Sequence, residues 1–361
     1  MDHLCELPND AARQKALDTL PPTLNATYER ILQRVNSCNK PVRQLVQRSL
    51  RWLVCTTVPI KSQALCEATS VEPGNKRLDR SAIPEADEIL RRCSSLVRKS
   101  VSGDWLELAH FTVKEFLTMD IDTWNPQYGL YHFDLESDDV ALAETCLTYL
   151  SFEEFAVGEI ICQDTLYQRW KAFAFREHAV KFWMNYARKH LTKPNILALT
   201  KQLLHPTKPF IFVSWAQELL MAVFKVESPD LIKTSPLHFA AALALPETCV
   251  WLLEDGCNVD QRSVVGTPLE CALAGKAALS GADYCAIPTE TPQAELGGPR
   301  RSTVNILINN GADVQYGYLR SSPIYIAIAM SDVVSCVALL HNGATIDEEA
   351  AGWLFEFKKW D

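Results

Sequence analysis

The sequence predicts an all-α protein in two parts: a winged-helix-containing helical domain, then a short solenoid of repeated helix pairs. Three observations carry this. Apolar residues recur at helical spacing through most of residues 20–230. The spacing changes to period two around residues 95–110. From residue 234, one helix start and one helix end each occur three times. A period of 3.6 marks amphipathic helices, alternation marks half-buried strands, and a recurring unit of 20–50 residues marks a stacked solenoid.

Taking the elements in order, "LPPTLNATYERILQRV" places Leu24, Tyr28, Ile31, Leu32 and Val35 on one helical face. "KPVRQLVQRSLRWLVC" opens with Pro41 as a first helical residue and carries Val42, Leu45, Val46, Ser49, Trp52 and Leu53 inward. Residues 56–59, "TTVP", break it. "SQALCEAT" is a short helix with Ser62 as its cap, and "EADEILRRCSSLV" is another with acids in its first turn, where the helix dipole favours them. "LVRKSV" and "WLELAH" then flank "SGD" at 102–104, a hairpin turn. Short helices followed by a two-stranded hairpin form the winged-helix pattern. Thr112 and Glu115 have capping-box spacing for a helix from Val113 to Met119, with His110 just outside it.

Residues 136–226 are helical again. Val140, Ala143, Leu147 and Leu150 share a face, and Trp170, Phe173, Phe182, Trp183 and Tyr186 supply aromatic packing. "FIFVSWAQELLMAVFKV" (210–226) is short for a membrane span and contains Gln217 and Glu218, so it is expected to be a buried amphipathic helix.

From residue 234, "TSPLHFAA", "GTPLECAL" and "SSPIYIAI" are three copies of one helix start, and "WLLEDGCNVD", "ILINNGADVQ" and "ALLHNGATID" are three copies of one helix end. Pro236 to Pro268 is a step of 32, as is Gly311 to Gly343, whereas Gly256 to Gly311 is 55. The middle copy therefore carries about 22 extra residues over a 33-residue period. They match the loop-like "SGADYCAIPTETPQAELGGPRR" of residues 280–301. In each copy Ser or Thr caps the helix, Pro236, Pro268 or Pro323 pre-sets its first turn, and Leu or Ile packs inward. Gly256, Gly311 and Gly343 stand where a helix closes in a left-handed conformation that glycine adopts at least cost.

Composition narrows the function. The 361 residues allow two or three domains, with a formal charge of −9 that argues against a general nucleic-acid binder. The 12 cysteines lack a Cys-x-x-Cys pair and lie mostly in apolar helical patterns, which predicts reduced core cysteines in an intracellular protein. The N-terminus has no basic region followed by an apolar one, hence no signal peptide. The expected location is the cytoplasm, with the nucleus as the alternative. The eight histidines are dispersed, so no metal site is expected, and no nucleophile elbow or His-Glu-x-x-His sequence occurs. Neither an enzymatic activity nor a cofactor is expected.

The repeats resemble ankyrin repeats, which makes the solenoid a short ankyrin-repeat one. His238 matches the histidine of that family's Thr-Pro-Leu-His motif, where it bonds backbone and neighbouring repeats. Positions 270 and 325 hold Glu and Tyr instead. The preceding phrases "ALDTLPPTLNATYERIL", "SLRWLVCTTVPIKSQALCEA", "ADEILRRCSSLV", "LELAHFTVKEFL" and "HAVKFWMNYARKHL" resemble the region after the NACHT module in fungal NACHT–ankyrin proteins, NLR-like signal-transduction ATPases. The resemblance implies that the winged helix is a regulatory lid and that the histidine after its hairpin, His110, is a nucleotide sensor when a NACHT module is present. Ala109 and Phe111 stand where the related Met-His-Asp motif has Met and Asp. No Gly-x-x-x-x-Gly-Lys-Ser/Thr loop is present, so the chain is expected to begin where that family's NACHT module ends and to lack tight ATP binding of its own.

The expected division is therefore a NACHT-end and winged-helix-like region at 1–120, a helical linker domain at 121–230, and three ankyrin repeats at 231–361. The leading functional reading is non-catalytic binding of protein partners through the ankyrin surface. One alternative is the regulatory part of a nucleotide-switched ATPase whose NACHT module lies on a longer product or another chain. Another is a winged-helix DNA-associated regulator: residues 40–118 hold 13 Lys/Arg against 9 Asp/Glu, densest at 91–92 and 98–99. That +4 balance is small for phosphate neutralisation, so nucleic acid is not the expected partner, nor is a membrane. Trp353, Leu354, Phe355, Phe357 and Trp360 are too apolar for an exposed tail. They cap the stack, bind a partner, or begin a further repeat.

Overall fold

A computed structural model describes residues 9, 23–158, 163–207, 209–224, 234–280, 297–315, 317, 322–346, 348 and 350–352. Its only sheet among these residues is one two-stranded hairpin, and the fold is all-α. Contacts divide the chain into two units: Met1–Val71, Asp79–Leu142 and Phe173–Phe175 form the first, and Glu72–Leu78, Ala143–Ala172 and Arg176–Asp361 the second.

In the first unit, α1 (Leu24–Asn36) starts at Thr23, whose hydroxyl accepts from Ala26 N–H at 3.1 Å. Tyr28, Ile31, Leu32 and Val35 are buried as the spacing predicts, whereas Leu24 is exposed because the first turn lies beyond the core. α2 (Lys40–Cys55) is capped by Asn39, with Pro41 second rather than first. Of the predicted face, Val46, Ser49 and Trp52 are buried and Val42, Leu45 and Leu53 half-buried, while Leu50, Val54 and Cys55 are buried outside it, since the helix packs on α1 and also on α4. Ser62 does not cap α3 (Ser62–Ser70). It is the first helical residue, and its N–H and hydroxyl both donate to Asp104 C=O across the hairpin turn, at 2.9 and 3.0 Å.

α4 (Ala86–Cys93) leads to β1 (Val97–Lys99), which pairs antiparallel with β2 (Leu106–Leu108) in the register Val97 with Leu108, Arg98 with Glu107 and Lys99 with Leu106. α5 (Phe111–Leu117) follows at once. It starts two residues before the predicted helix, and Thr112 is not its cap. The Thr112 hydroxyl is drawn instead to the Tyr28 hydroxyl of α1, 2.7 Å away. Buried Glu67 accepts from the N–H groups of Ala174 and Phe175 at 3.0 Å each, which ties residues 173–175 to this unit.

α6 (Asp139–Leu150) runs from the first unit into the second, and its residues from Cys146 to Leu150 are buried on every side rather than on one face. The second unit continues with α7 (Gln163–Ala172), α8 (Arg176–Ala187), α9 (Pro194–Leu203) and α10 (Pro209–Leu219). Phe212, Trp215, Ala216 and Leu219 of α10 are buried, and so is Glu218, fully. Among the described residues no helix is long and apolar enough to cross a membrane.

Glu218 survives burial because donors surround it. Arg176 Nε lies 2.8 Å from both carboxylate oxygens, Arg169 Nη1 3.0 Å from one, and Trp170 Nε1 3.1 Å from the other. Arg176 is itself fully buried, with its guanidinium 3.5 Å from the centre of the Phe155 ring. Burial works against its charge, and the carboxylate counters that. A charge leaves water only with its partner, because an isolated buried ion costs several kcal/mol. Glu218→Gln therefore strands Arg176, and the expected loss is about 3–5 kcal/mol in urea unfolding of the second unit. A loss below about 1 kcal/mol means the pair does not hold α8 to α10.

Candidate functional site

Six helices form three consecutive pairs. α11 (Pro236–Ala242) precedes α12 (Pro246–Glu254), α13 (Pro268–Ala274) precedes α14 (Gly298–Asn309), and α15 (Pro323–Ala329) precedes α16 (Val333–His341). Pro236, Pro268 and Pro323 each occupy the first helical position and are buried. Leu or Ile follows each of them into the core.

The second helix of every pair ends alike. Gly256, Gly311 and Gly343 have φ of +90°, +87° and +95°. Gly256 N–H donates to Leu253 C=O and Cys257 N–H to Leu252 C=O; Gly311 with Ala312, and Gly343 with Ala344, repeat this two-bond closure at 2.9–3.1 Å. No atom lies within 4 Å of where a Cβ would stand on any of the three, so conformation alone selects glycine.

The three helix starts differ. Ser235 does not cap its helix; its hydroxyl lies 2.7 Å from Nδ1 of His238. His238 is fully buried, and its Nε2 lies 2.8 Å from Gln261 C=O and 3.2 Å from Gly266 C=O. Two carbonyls require an N–H at Nε2, so Ser235 donates to Nδ1 and the ring is neutral. His238 thereby fastens the first pair to the turn that opens the second. In the second pair Glu270 takes the place of that histidine and closes a capping box: Thr267 N–H donates to its carboxylate at 2.6 Å, and Thr267 Oγ accepts from Glu270 N–H at 3.3 Å. In the third pair Ser322 caps through Tyr325 N–H.

The turns between pairs are also joined. Asp313 N–H donates to Asp260 Oδ1 at 2.9 Å, and Thr345 N–H donates to Gln315 Oε1 at 3.1 Å. Sequence reasoning passed over these residues, since a bond across 30 or 53 positions leaves no local pattern. It also placed residues 298–301 in a loop. They open α14, and buried Arg300 donates to Leu273 C=O, passing so close to Gly275 (φ +62°) that a Cβ there would collide with its guanidinium. The rest of that loop, residues 281–296, lies outside the described residues, as do 353–361.

Helices before the repeats cover the first pair. Phe212 and Trp215 of α10 meet Phe239 with ring centres 5.3 and 5.8 Å apart, His205 and Lys201 lie against Trp251, and Arg188 donates to Leu243 C=O.

In the first unit, His110 is the exposed N-cap of α5. Its Nδ1 accepts from Thr112 N–H at 3.3 Å and lies 2.9 Å from the Thr112 hydroxyl, and its ring lies tilted against that of exposed Phe111, centres 4.2 Å apart. The basic cluster is ion-paired: Arg91 and Arg92 with Glu88, Arg98 with Glu107, and Lys99 with Asp87. Among the described residues no group of three or more His, Cys, Asp or Glu is placed to hold a metal.

Two expectations follow. Gly256→Ala, Gly311→Ala and Gly343→Ala each place a Cβ in the left-handed region and lower stability by about 1–2 kcal/mol in denaturant titration, with unchanged spectra; a neutral result at all three would show that the closure bears no strain. Burial also pushes His238, and buried His178, down to about 4 from the ordinary 6.5. Between those values the unfolded chain binds protons that the folded one refuses. Stability is therefore full above pH 6.5 and is lost as pH falls towards 4. His238→Gln makes that decline shallower by up to about 1.4 kcal/mol per pH unit, and an unaltered slope excludes His238 as its source.

The ankyrin-repeat family model matches residues 233–264. No curated protein and no solved structure matches the chain. The matched stretch spans the first helix pair and the turn holding Gln261, so the chain carries an ankyrin repeat there, and its proline and glycine geometry recurs in the two pairs that follow.

Proposed function

We propose that this chain is a non-catalytic protein–protein interaction module whose repeat stack receives a protein partner, and that it is a relative of NACHT–ankyrin receptors. The observation that carries the first part is the stack itself: three helix pairs with one closure geometry, the first matching an ankyrin repeat. Stacked repeats offer an extended, rigid surface whose tips vary without cost to the core. The turn of residues 257–266 presents such a tip, with exposed Asn258 and Val264 beside the buried anchor His238. What supports the relationship to NACHT–ankyrin receptors is the order of helices α1–α4 followed by the hairpin, the order expected of a winged helix.

The second reading, the regulatory part of a nucleotide-switched ATPase, is favoured by one observation: His110 stands exposed at a helix start directly after the hairpin. Against it, Nδ1 of His110 already takes the N–H that a phosphate would seek. The DNA-regulator reading draws no support from the paired basic cluster, whose charges are offset by neighbouring carboxylates.

The test is co-purification from the native cells with the wild type and an Asn258→Asp/Val264→Asp variant of verified fold, quantified by mass spectrometry. The module reading expects a protein captured by the wild type to fall at least tenfold with the variant; equal capture of every protein sinks it. Calorimetric titration with Mg-ATP of an assembly holding both this chain and a NACHT module separates the second reading, which requires binding there that His110→Ala weakens.

A further inference from the structure

Charge is unevenly spread along this chain. Residues 165–226 hold ten Lys or Arg against two Asp or Glu, and residues 178–217 among them hold six and no acid. The stretches on either side are acidic: residues 1–164 hold 17 Lys or Arg against 25 Asp or Glu, and residues 234–361 hold seven against 15. Both carboxylates of the basic stretch are engaged within it, Glu218 with buried Arg176 and Glu177 with Lys181. Its remaining described cations lie further along. Arg188, Lys189 and Lys193 are exposed on the turn that joins α8 to α9, beside exposed Asn185 and Thr192. Buried Trp183, Tyr186, His190 and Leu191 lie beneath and fix that turn on the unit. Arg188 donates to Leu243 C=O, and Lys201 lies over the Trp251 ring, so neutral groups hold both while their charge stays in place. One carboxylate, Glu144, reaches the edge of the turn, where Asn195 donates to it.

We propose that the turn between α8 and α9 is a docking surface for an acidic, Asp/Glu-rich segment of a partner protein. A patch of one sign on a rigid turn draws and orients a partner of the other sign. The neighbouring surface sharpens this. On α12, Glu247 and Glu254 stand one turn to either side of Trp251, so the sign reverses where the basic stretch meets the first repeat. Carboxylates of a partner are attracted to Arg188, Lys189 and Lys193 and repelled from the repeats, which sets where the segment lies. Two other polyanions fit less well. Among the described residues no large apolar side chain between Tyr167 and Phe210 is exposed, so this face offers nothing to insert into a bilayer. Trp183 and Tyr186 are buried, so no ring is presented for a base to stack on, and three exposed cations are few for a phosphate backbone. The surface is separate from the repeat tip at Asn258 and Val264, and its binding does not depend on that of the tip.

The test is fluorescence anisotropy of the full chain with three labelled probes: an oligoglutamate peptide, duplex DNA, and vesicles containing phosphatidylserine. The proposal expects the peptide to bind more tightly than either other probe. Its affinity is expected to fall at least tenfold between about 0.03 and about 0.3 M salt, where the screening length shortens roughly threefold. Lys189→Gln/Lys193→Gln, which removes two exposed charges, is expected to weaken the peptide at least fivefold with an unchanged unfolding curve. Arg91→Gln/Arg98→Gln and Asn258→Asp/Val264→Asp are expected to leave it unaltered, so the tip reading and this one fail separately. No binding of the peptide overturns the proposal, as does binding that salt or Lys189→Gln/Lys193→Gln leaves unchanged. Tighter binding of DNA or vesicles overturns it in favour of a phosphate-bearing partner. Sedimentation at low salt is expected to show a monomer; self-association lost in Lys189→Gln/Lys193→Gln overturns it in favour of a second copy, whose acidic repeats would then be the occupant.

Discussion

Each helix pair of residues 236–341 can bury its apolar surface only against the pairs beside it, and it can present that surface only if the chain turns back on itself at the same place each time. The left-handed closures at Gly256, Gly311 and Gly343 make that turn. Once the chain is returned, Leu252, Leu307 and Leu339 point into the stack, and all three are fully buried. A short helix of seven residues such as α11 or α15 is marginal in water on its own. Its persistence here comes from burial on its neighbours, so the closing glycines govern helices that lie far from them in sequence.

Between pairs the polar groups follow the same demand. Turn backbones that a stack encloses must find partners, and each junction solves this with different chemistry. His238 offers a ring N–H to two carbonyls, Asp260 offers a carboxylate to Asp313 N–H, and Gln315 offers an amide oxygen to Thr345 N–H. Glu270 shows that the histidine position is not indispensable, since a carboxylate there satisfies the helix start instead. This tolerance lets the repeats diverge in sequence while keeping one geometry.

The ionic cluster around Glu218 meets a similar constraint by another route. α10 is almost wholly apolar, and a single carboxylate on it would be prohibitive without donors. Arg169 and Trp170 of α7, with Arg176 of α8, supply them, so one buried charge specifies how three helices meet. The paired arginines of α4 and β1 lie at the surface in high dielectric, where such bridges contribute little to stability but do neutralise local charge.

Local chemistry alone determined much of this protein: which face of α1 turns inward at Tyr28, Ile31, Leu32 and Val35, where the hairpin turns at Gly103, where each repeat starts at a proline and stops at a glycine, and that the whole is helical. These features depend on residues three or four positions apart, and a sequence displays such spacing directly. It misplaced the cap of α5, because the fate of the Thr112 hydroxyl was decided by Tyr28, 84 positions away. It put residues 298–301 in a loop, because the burial of Arg300 depends on the room left by Gly275. Glu218 could be seen in the sequence as an anomaly in an apolar run, but its partners could not. Only the tertiary structure decided these points, since hydrogen bonds and ion pairs between distant segments are selected by three-dimensional proximity, for which linear spacing carries no signal.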